Sequence, residues 1–209
     1  MKVLLWFFIA GILILVLWSL VGYFSSRVEQ AEYTVIQKAD GYEVRNYPAH
    51  IVAQTTVEGS YQDSLNQGFR IVAAYIFGGN TKKESIAMTA PVTSKDTSQT
   101  IAMTAPVTAN VDGNSHTISF GMPRSYTLET LPTPTDPRVK LVEVSAQKMA
   151  VLTFSWYATD ARVQLMEKQL VADLARDKVA SIGVPQYAGY NAPWTPPWMT
   201  RNEVMVEIR

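Results

Sequence analysis

From Val3 to Phe24 the chain carries no charged residue, and leucine, isoleucine, valine, phenylalanine and tryptophan dominate. About 20 such residues, each rising ~1.5 Å, cross a hydrocarbon core of about 30 Å, so the run predicts a transmembrane helix. A cleaved signal peptide is the competing reading, but its apolar region usually covers only about 7–15 residues and ends in a small-x-small site. Residues 1–26 are therefore expected to form a signal anchor, 27–32 a polar linker, and 33–209 a folded domain. Lys2 precedes the span, whereas Arg27 beyond it is accompanied by Glu29 and Glu32. The positive-inside rule then puts the amino terminus in the cytoplasm and the domain on the far side, which in a bacterium is the periplasm or the outer face of the membrane.

Beyond the linker the pattern becomes short β-branched and aromatic runs separated by turn residues. Tyr33–Gln37 and Tyr42–Tyr47 read as strands around the Asp40-Gly41 turn, and His50–Glu58 as a third after Pro48. The period then changes. Leu65, Phe69, Val72 and Ile76 share one helical face, with Ser60 as N-cap, Asp63 at the capping-box position and Gly78-Gly79 as the stop. Strands are expected again at 86–93, 101–108 and 116–122, before a proline-rich connection over 131–137. Strand patterns follow at 139–144 and 148–156. Thr159 is placed to cap a helix with the stripe Val163, Met166, Leu170 and Leu174, ended by Ile182-Gly183. Runs at 186–191 and 203–208 complete the chain around a loop at 192–202.

Two internal repeats constrain the architecture. Shifting the chain by about 97 residues superposes Ala49 on Ala146, Ala53 on Ala150 and Thr56 on Thr153, and aligns the two helices. Each half has strands and one amphipathic helix and would expose an apolar sheet face if it folded alone, so the halves are expected to share a core. The second repeat is local. Ile86-Ala-Met-Thr-Ala-Pro-Val-Thr93 recurs unchanged as residues 101–108, which reads as a long hairpin or duplicated strand with Met88 and Met103 as adaptable apolar walls.

Composition narrows the chemistry. Eighteen basic residues balance eighteen acidic ones, leaving no surplus for phosphate neutralisation, so no nucleic-acid partner is expected. The absence of cysteine excludes disulfides, thiolate nucleophiles and iron–sulfur clusters. Two histidines, His50 and His116, are too few for a multi-histidine metal site. There is no glycine-rich phosphate loop and no Gly-x-Ser-x-Gly elbow, and catalysis is not expected.

Tyr42-Glu-Val-Arg-Asn-Tyr47, Tyr75-Ile-Phe-Gly-Gly-Asn80, Ile86-Ala-Met-Thr-Ala-Pro-Val92, and Gly189-Tyr-Asn191 with Arg201-Asn-Glu-Val204 together resemble the SOUL haem-binding family over roughly 33–209. The doubled segment and Pro193-Trp-Thr-Pro196 resemble its bacterial branch. The resemblance implies an α+β fold: a distorted pseudo-two-fold β-barrel of two strand-helix-strand-strand repeats with two flanking helices, here preceded by the transmembrane helix. It also implies non-catalytic binding of haem b or another tetrapyrrole in an apolar cleft beside the first helix. The position at which ligating members carry histidine is Asn46 in this chain.

The candidate pocket is Leu65, Asn66, Phe69, Val72 and Ala73 on the first helix, with Met88, Met103 and Trp194. His116 and His50 are the candidate axial donors. Glu43 and Glu203 are placed to pair with Arg45 or Arg201. Trp194 and Trp198 would gate a tetrapyrrole, rest at the membrane interface or simply fold onto the barrel. Two other readings stay open: a binder of other amphipathic small molecules, and an envelope scaffold with a filled interior.

Overall fold

The computed structural model describes residues 2–25, 29–81, 104–105, 107–112, 115–192 and 194–209. Helix α1 (Lys2–Ser25) is long and apolar enough to cross a membrane, and none of it is buried within the protein apart from its end near Gly22. Strands β1 (Glu29–Gln30), β2 (Thr34–Lys38), β3 (Glu43–Tyr47) and β4 (His50–Glu58) lead into helix α2 (Tyr61–Ile76). The short β5 (Asn80–Thr81) and β6 (Thr104–Ala105) precede β7 (Val107–Asp112), β8 (Ser115–Gly121), β9 (Thr133–Pro134), β10 (Lys140–Val144) and β11 (Gln147–Phe154). Helix α3 (Asp160–Arg176), β12 (Ser181–Gly189), a 3-10 turn at Pro197–Met199 and β13 (Asn202–Ile208) complete the chain. The repeated Ile86–Thr93 segment lies outside the described residues, as does the start of its copy.

Nine strands form one sheet in the order β10-β4-β8-β7-β12-β13-β11-β3-β2. Exchanging β3 for β10, β4 for β11, β7 for β12 and β8 for β13 reverses the first eight positions of that order. Among the described residues no pairing joins the edge strands β10 and β2, so closure of the sheet into the expected distorted barrel is not seen. The two-residue side-chain period divides each long strand between two faces. Ala53, Val57, Ile118 and Phe120 pack under α2, with Val72, Tyr75 and Ile76 opposite them. Ala150, Leu152, Val204 and Val206 pack under α3 with Val163, Leu170 and Leu174. Both helices therefore cover the same face of the sheet, and the intervening residues of those strands face the other way.

Local chemistry sets the helix positions. The Ser60 hydroxyl accepts from the Asp63 amide at 3.3 Å and donates to the Asp63 carboxylate at 2.6 Å, closing the first turn of α2 as expected. Gly68 lets α2 approach β8: a Cβ there would stand 2.7 Å from Ile118 Cδ1. Thr159 sits at the N-cap of α3, but its hydroxyl makes no capping bond. That helix stops at Arg176, ahead of the expected stop at Ile182-Gly183, because Lys178 takes the left-handed turn. Gly183, also left-handed, marks a register shift inside β12 instead. Part of the expected linker is structured as well, since Glu29–Gln30 pair in parallel with Thr104–Ala105, and Ala31 and Tyr33 pack on a third apolar cluster.

Candidate functional site

The sheet face away from α2 and α3 holds a cavity of about 710 Å³. His50, Val52 and Gln54 of β4 line it, as do Thr117, Ser119 and Gly121 of β8, the alternates of the residues that face α2. The second half contributes Gln147 and Met149 of β11, Met205 and Glu207 of β13, and Ile182 and Val184 beside the β12 bulge. Strands from both ends of the sheet order line one space, so the sheet curls around it. Met149 and Met205 are both buried there, a polarizable apolar floor beneath a wall rich in amides and hydroxyls.

His50 stands where β4 begins, opposite Val144 of β10. Its Nδ1 lies 3.0 Å from the Pro48 carbonyl. A carbonyl only accepts, so this bond puts a proton on Nδ1; in the neutral ring Nε2 then keeps the lone pair, the arrangement that orients ligating histidines. His50 also lines a second cavity of about 60 Å³, which shares Ala31, Tyr47 and Gly121 with the larger one and reaches Arg124. Arg124 is ion-paired there with Glu32. No lysine or arginine lines the larger cavity among the described residues.

Beside this space the sheet buries a charge cluster. Glu203 is 0% exposed. Its Oε1 accepts from Arg45 Nη1 at 2.8 Å, Arg201 Nη2 at 2.7 Å, Arg201 Nε at 3.0 Å and Thr153 Oγ1 at 3.1 Å. The Tyr190 hydroxyl donates to Oε2 at 2.6 Å, and Arg45 also pairs with Glu43 at 2.9 Å. The expected pairing is therefore present, but both arginines converge on one carboxylate. Two cations and two anions leave the cluster neutral, which offsets the cost of burying it. Burial, reinforced by the Glu203 charge, pushes the Tyr190 phenol well above its ordinary value. Tyr187, which donates to Asn202 Oδ1 at 2.8 Å, is pushed up by burial to about 12. The Tyr42–Tyr47 and Arg201–Val204 motifs thus build a scaffold for the sheet; no nucleophile with an attendant base is formed by them.

The residues anticipated from sequence fall in different places. Val72 is 0% exposed and Ala73 is buried, both turned into the sheet or its immediate packing, and Leu65 packs half-buried on the same core. These three offer no open wall, because the apolar stripe of α2 is spent on covering β4 and β8. Asn66 is exposed, and Phe69 is 37% exposed with its ring 5.2 Å from that of Phe120. Met88 and Met103 lie outside the described residues. The carbonyl of the exposed Trp194 accepts from Trp18 Nε1 of α1 at 2.8 Å. His116 is 5% exposed on the α2 side, with Nε2 3.1 Å from the Gly59 carbonyl, away from the cavity. Asn46 is exposed on β3. Of these residues, those described apart from His50 do not line the large cavity; His50 does. The rest of its lining was missed because alternating polar residues such as Gln54, Thr117 and Ser119 look like a solvated strand face until the fold brings seven strands around one space.

The SOUL heme-binding protein family model matches residues 28–207. The chain belongs to the SOUL haem-binding family. Heme-binding protein 2 of Homo sapiens is 29% identical over 154 residues, covering 73% of this chain and 71% of the human protein. In three dimensions the SOUL domain is similar to the EcmrR C-terminal domain, with a TM-score of 0.55 and 10% identity over 85% of this chain and 98% of that one. The EcmrR chain in a cryo-EM DNA complex gives a TM-score of 0.55 and 9% identity over 82% of this chain and 59% of that one. At these identities the likeness is one of fold alone.

Proposed function

We propose that this SOUL protein is a membrane-anchored, non-catalytic binder of haem b or another tetrapyrrole, held in the cavity on the sheet face away from the helices. The cavity itself carries the reading. At about 710 Å³ it lies within the ~300–1,000 Å³ range of small-molecule sites, and its wall includes an imidazole with a fixed tautomer. The donor set fits haem, because His50 and the floor methionines Met149 and Met205 are the side-chain types that ligate haem iron. If haem is bound, its iron would supply a Lewis-acid centre that His50 could hold. His50 holds its proton at Nδ1 against Pro48 and presents the Nε2 lone pair. Met149, Met205, Val52 and Val184 would exclude water from a bound macrocycle. Among the described residues no lysine or arginine lines the larger cavity, so the propionates would be met by solvent or by Arg124 at the connected smaller one.

The outward face of α2 around Asn66 and Phe69, with Met88 and Met103, is the alternative position for the same ligand. A curled sheet broken between β10 and β2 supports reading the domain, 33–209, as a distorted and opened barrel. The strand order's reversal under exchange of halves supports a duplicated ancestry. The uncharged run Val3–Phe24 within α1 supports an anchor, and Lys2 before it supports a cytoplasmic amino terminus with the domain outside.

Titrating the full chain in detergent with haemin and with metal-free protoporphyrin tests the function. Saturable one-to-one binding with a shifted Soret band is expected. Binding of both with no change at iron would reduce the site to porphyrin burial. A flat response to both would leave an amphipathic binder of another kind or a ligand-free scaffold. Phe69→Ala is expected to leave the titration unchanged, and its loss of binding would move the ligand to α2.

A further inference from the structure

The aromatic loop after β12 lies against the outer end of α1 through three contacts. Trp18 Nε1 donates to the Trp194 carbonyl at 2.8 Å, and the Trp18 and Trp198 rings meet edge to face at 5.3 Å. A Cβ on Gly22 would stand 2.5 Å from Pro196 Cδ, so only glycine lets the loop close on the helix there. Trp194 and Trp198 are nevertheless 58% and 46% exposed. Trp156 belongs to the same surface: its amide donates to the Pro197 carbonyl at 2.9 Å, its carbonyl accepts from Asn202 Nδ2 at 2.8 Å, and its φ of 81° is a left-handed conformation costly for tryptophan. A strained backbone held by bonds on both sides presents an indole that stays half-exposed, beside the exposed Tyr157.

No residue from Val179 to Thr200, nor from Met149 to Thr159, is charged. The loop's backbone is also equipped for a medium of low polarity. Pro196 and Pro197 have no N–H, the Thr195 amide donates to the Ala192 carbonyl, and the Pro196 carbonyl accepts from the Met199 amide. The Trp194 carbonyl is satisfied by the span's own indole. Unsatisfied backbone groups are what normally bar loops from lipid, and tryptophan is enriched at the headgroup level. By helix rise, Gly22 lies about 3 Å and Trp18 about 9 Å before Phe24. The loop therefore runs alongside the last turns of α1, within the zone that interfacial side chains occupy.

We propose that Trp194 and Trp198, with Trp156 beside them, insert into the headgroup–acyl boundary of the leaflet where α1 ends and fix the domain's orientation on the bilayer. This rests on α1 being a span. The test uses the full chain in nanodiscs of lipids brominated on the acyl chain, with variants that keep a single tryptophan and carry Trp→Phe at the other four positions. Trp6, Trp194 and Trp198 serve as the separate reporters. Quenching of all three, with blue-shifted emission for the loop reporters, is expected. Quenching of Trp6 with Trp194 and Trp198 unaffected overturns the insertion while keeping the span. An unquenched Trp6 removes the span and the insertion with it. A less perturbed pair, the natural chain against Trp194→Phe/Trp198→Phe, is expected to differ by loss of a bromine-quenched component. Identical quenching of the two overturns the proposal.

Discussion

Replacing Glu203 by glutamine removes one charge and leaves the side chain's size unchanged. The natural carboxylate is fully buried, takes four hydrogen bonds on Oε1 and one on Oε2, and neutralises two guanidinium groups. The amide leaves Arg45, 4% exposed at its side chain, with Glu43 as its remaining counter-ion, and leaves Arg201 with none in the cluster. Removing one member of a buried pair costs about 3–5 kcal/mol. Arg201 is partly exposed and can recover some hydration, and Glu43 stays on Arg45, so a value near the lower end, about 3 kcal/mol, is expected. For a domain of this size that lowers Tm by roughly 6–12 °C. Urea unfolding of the full chain in a mild detergent, followed by far-ultraviolet circular dichroism, measures it. Tyr190 supplies an independent signature: without the Glu203 charge its ionisation moves back toward the ordinary tyrosine range. A loss under about 1 kcal/mol, the range of exposed pairs, together with an unmoved Tyr190, would refute the assignment of a buried, interdependent cluster.

Three further outcomes follow from the packing. Gly68→Ala gains about 1 kcal/mol of helix propensity but forces a methyl within 3 Å of three Ile118 carbons under α2, so a net loss of about 1–2 kcal/mol in urea unfolding is expected; a stabilised protein would show that α2 sits farther from β8. Burial raises Tyr75 and Tyr187 to about 12 from an unfolded value near 10, so the stability they contribute is fully present below about pH 10 and lost as pH rises through about 12. Unfolding free energies should fall across that window as tyrosinate absorbance rises; a stability that stays flat while tyrosinate forms would contradict it. Gly22→Leu places a side chain where Pro196 stands and is expected to shift Trp198 emission without changing the domain's unfolding midpoint; an unchanged emission spectrum would mean that the loop does not touch α1.

The elements with a strong period were legible. The α2 stripe of Leu65, Phe69, Val72 and Ile76 and the Ser60 cap follow from local spacing, and α1 follows from the run without charge from Val3 to Phe24. What covers the stripe was not legible, because Val72 looks the same whether it faces a ligand or Ile118. The cavity was hidden for a related reason. His50, Gly121 and Met205 become neighbours only through pairings distant in sequence, and each alone resembles an ordinary strand residue. The end of α3 shows local ambiguity: Lys178 and Gly183 both take left-handed backbone, but the first turns the chain out of the helix and the second sits at a strand irregularity. A glycine preference alone pointed to the wrong one. The fate of Glu203 was half-readable, since the motif supplied its partners but not their convergence on one oxygen.

In the proposed complex His50 would hold the iron of a tetrapyrrole lying in the cavity away from the helices. The absorption spectrum of the haemin complex, recorded for the natural chain, for His50→Ala and for His50→Ala with added imidazole, tests it most directly. The prediction is a Soret maximum that moves in the variant, with weaker haemin affinity and unchanged protoporphyrin affinity, and that returns when imidazole is added. Identical spectra and affinities for the natural chain and His50→Ala would contradict it.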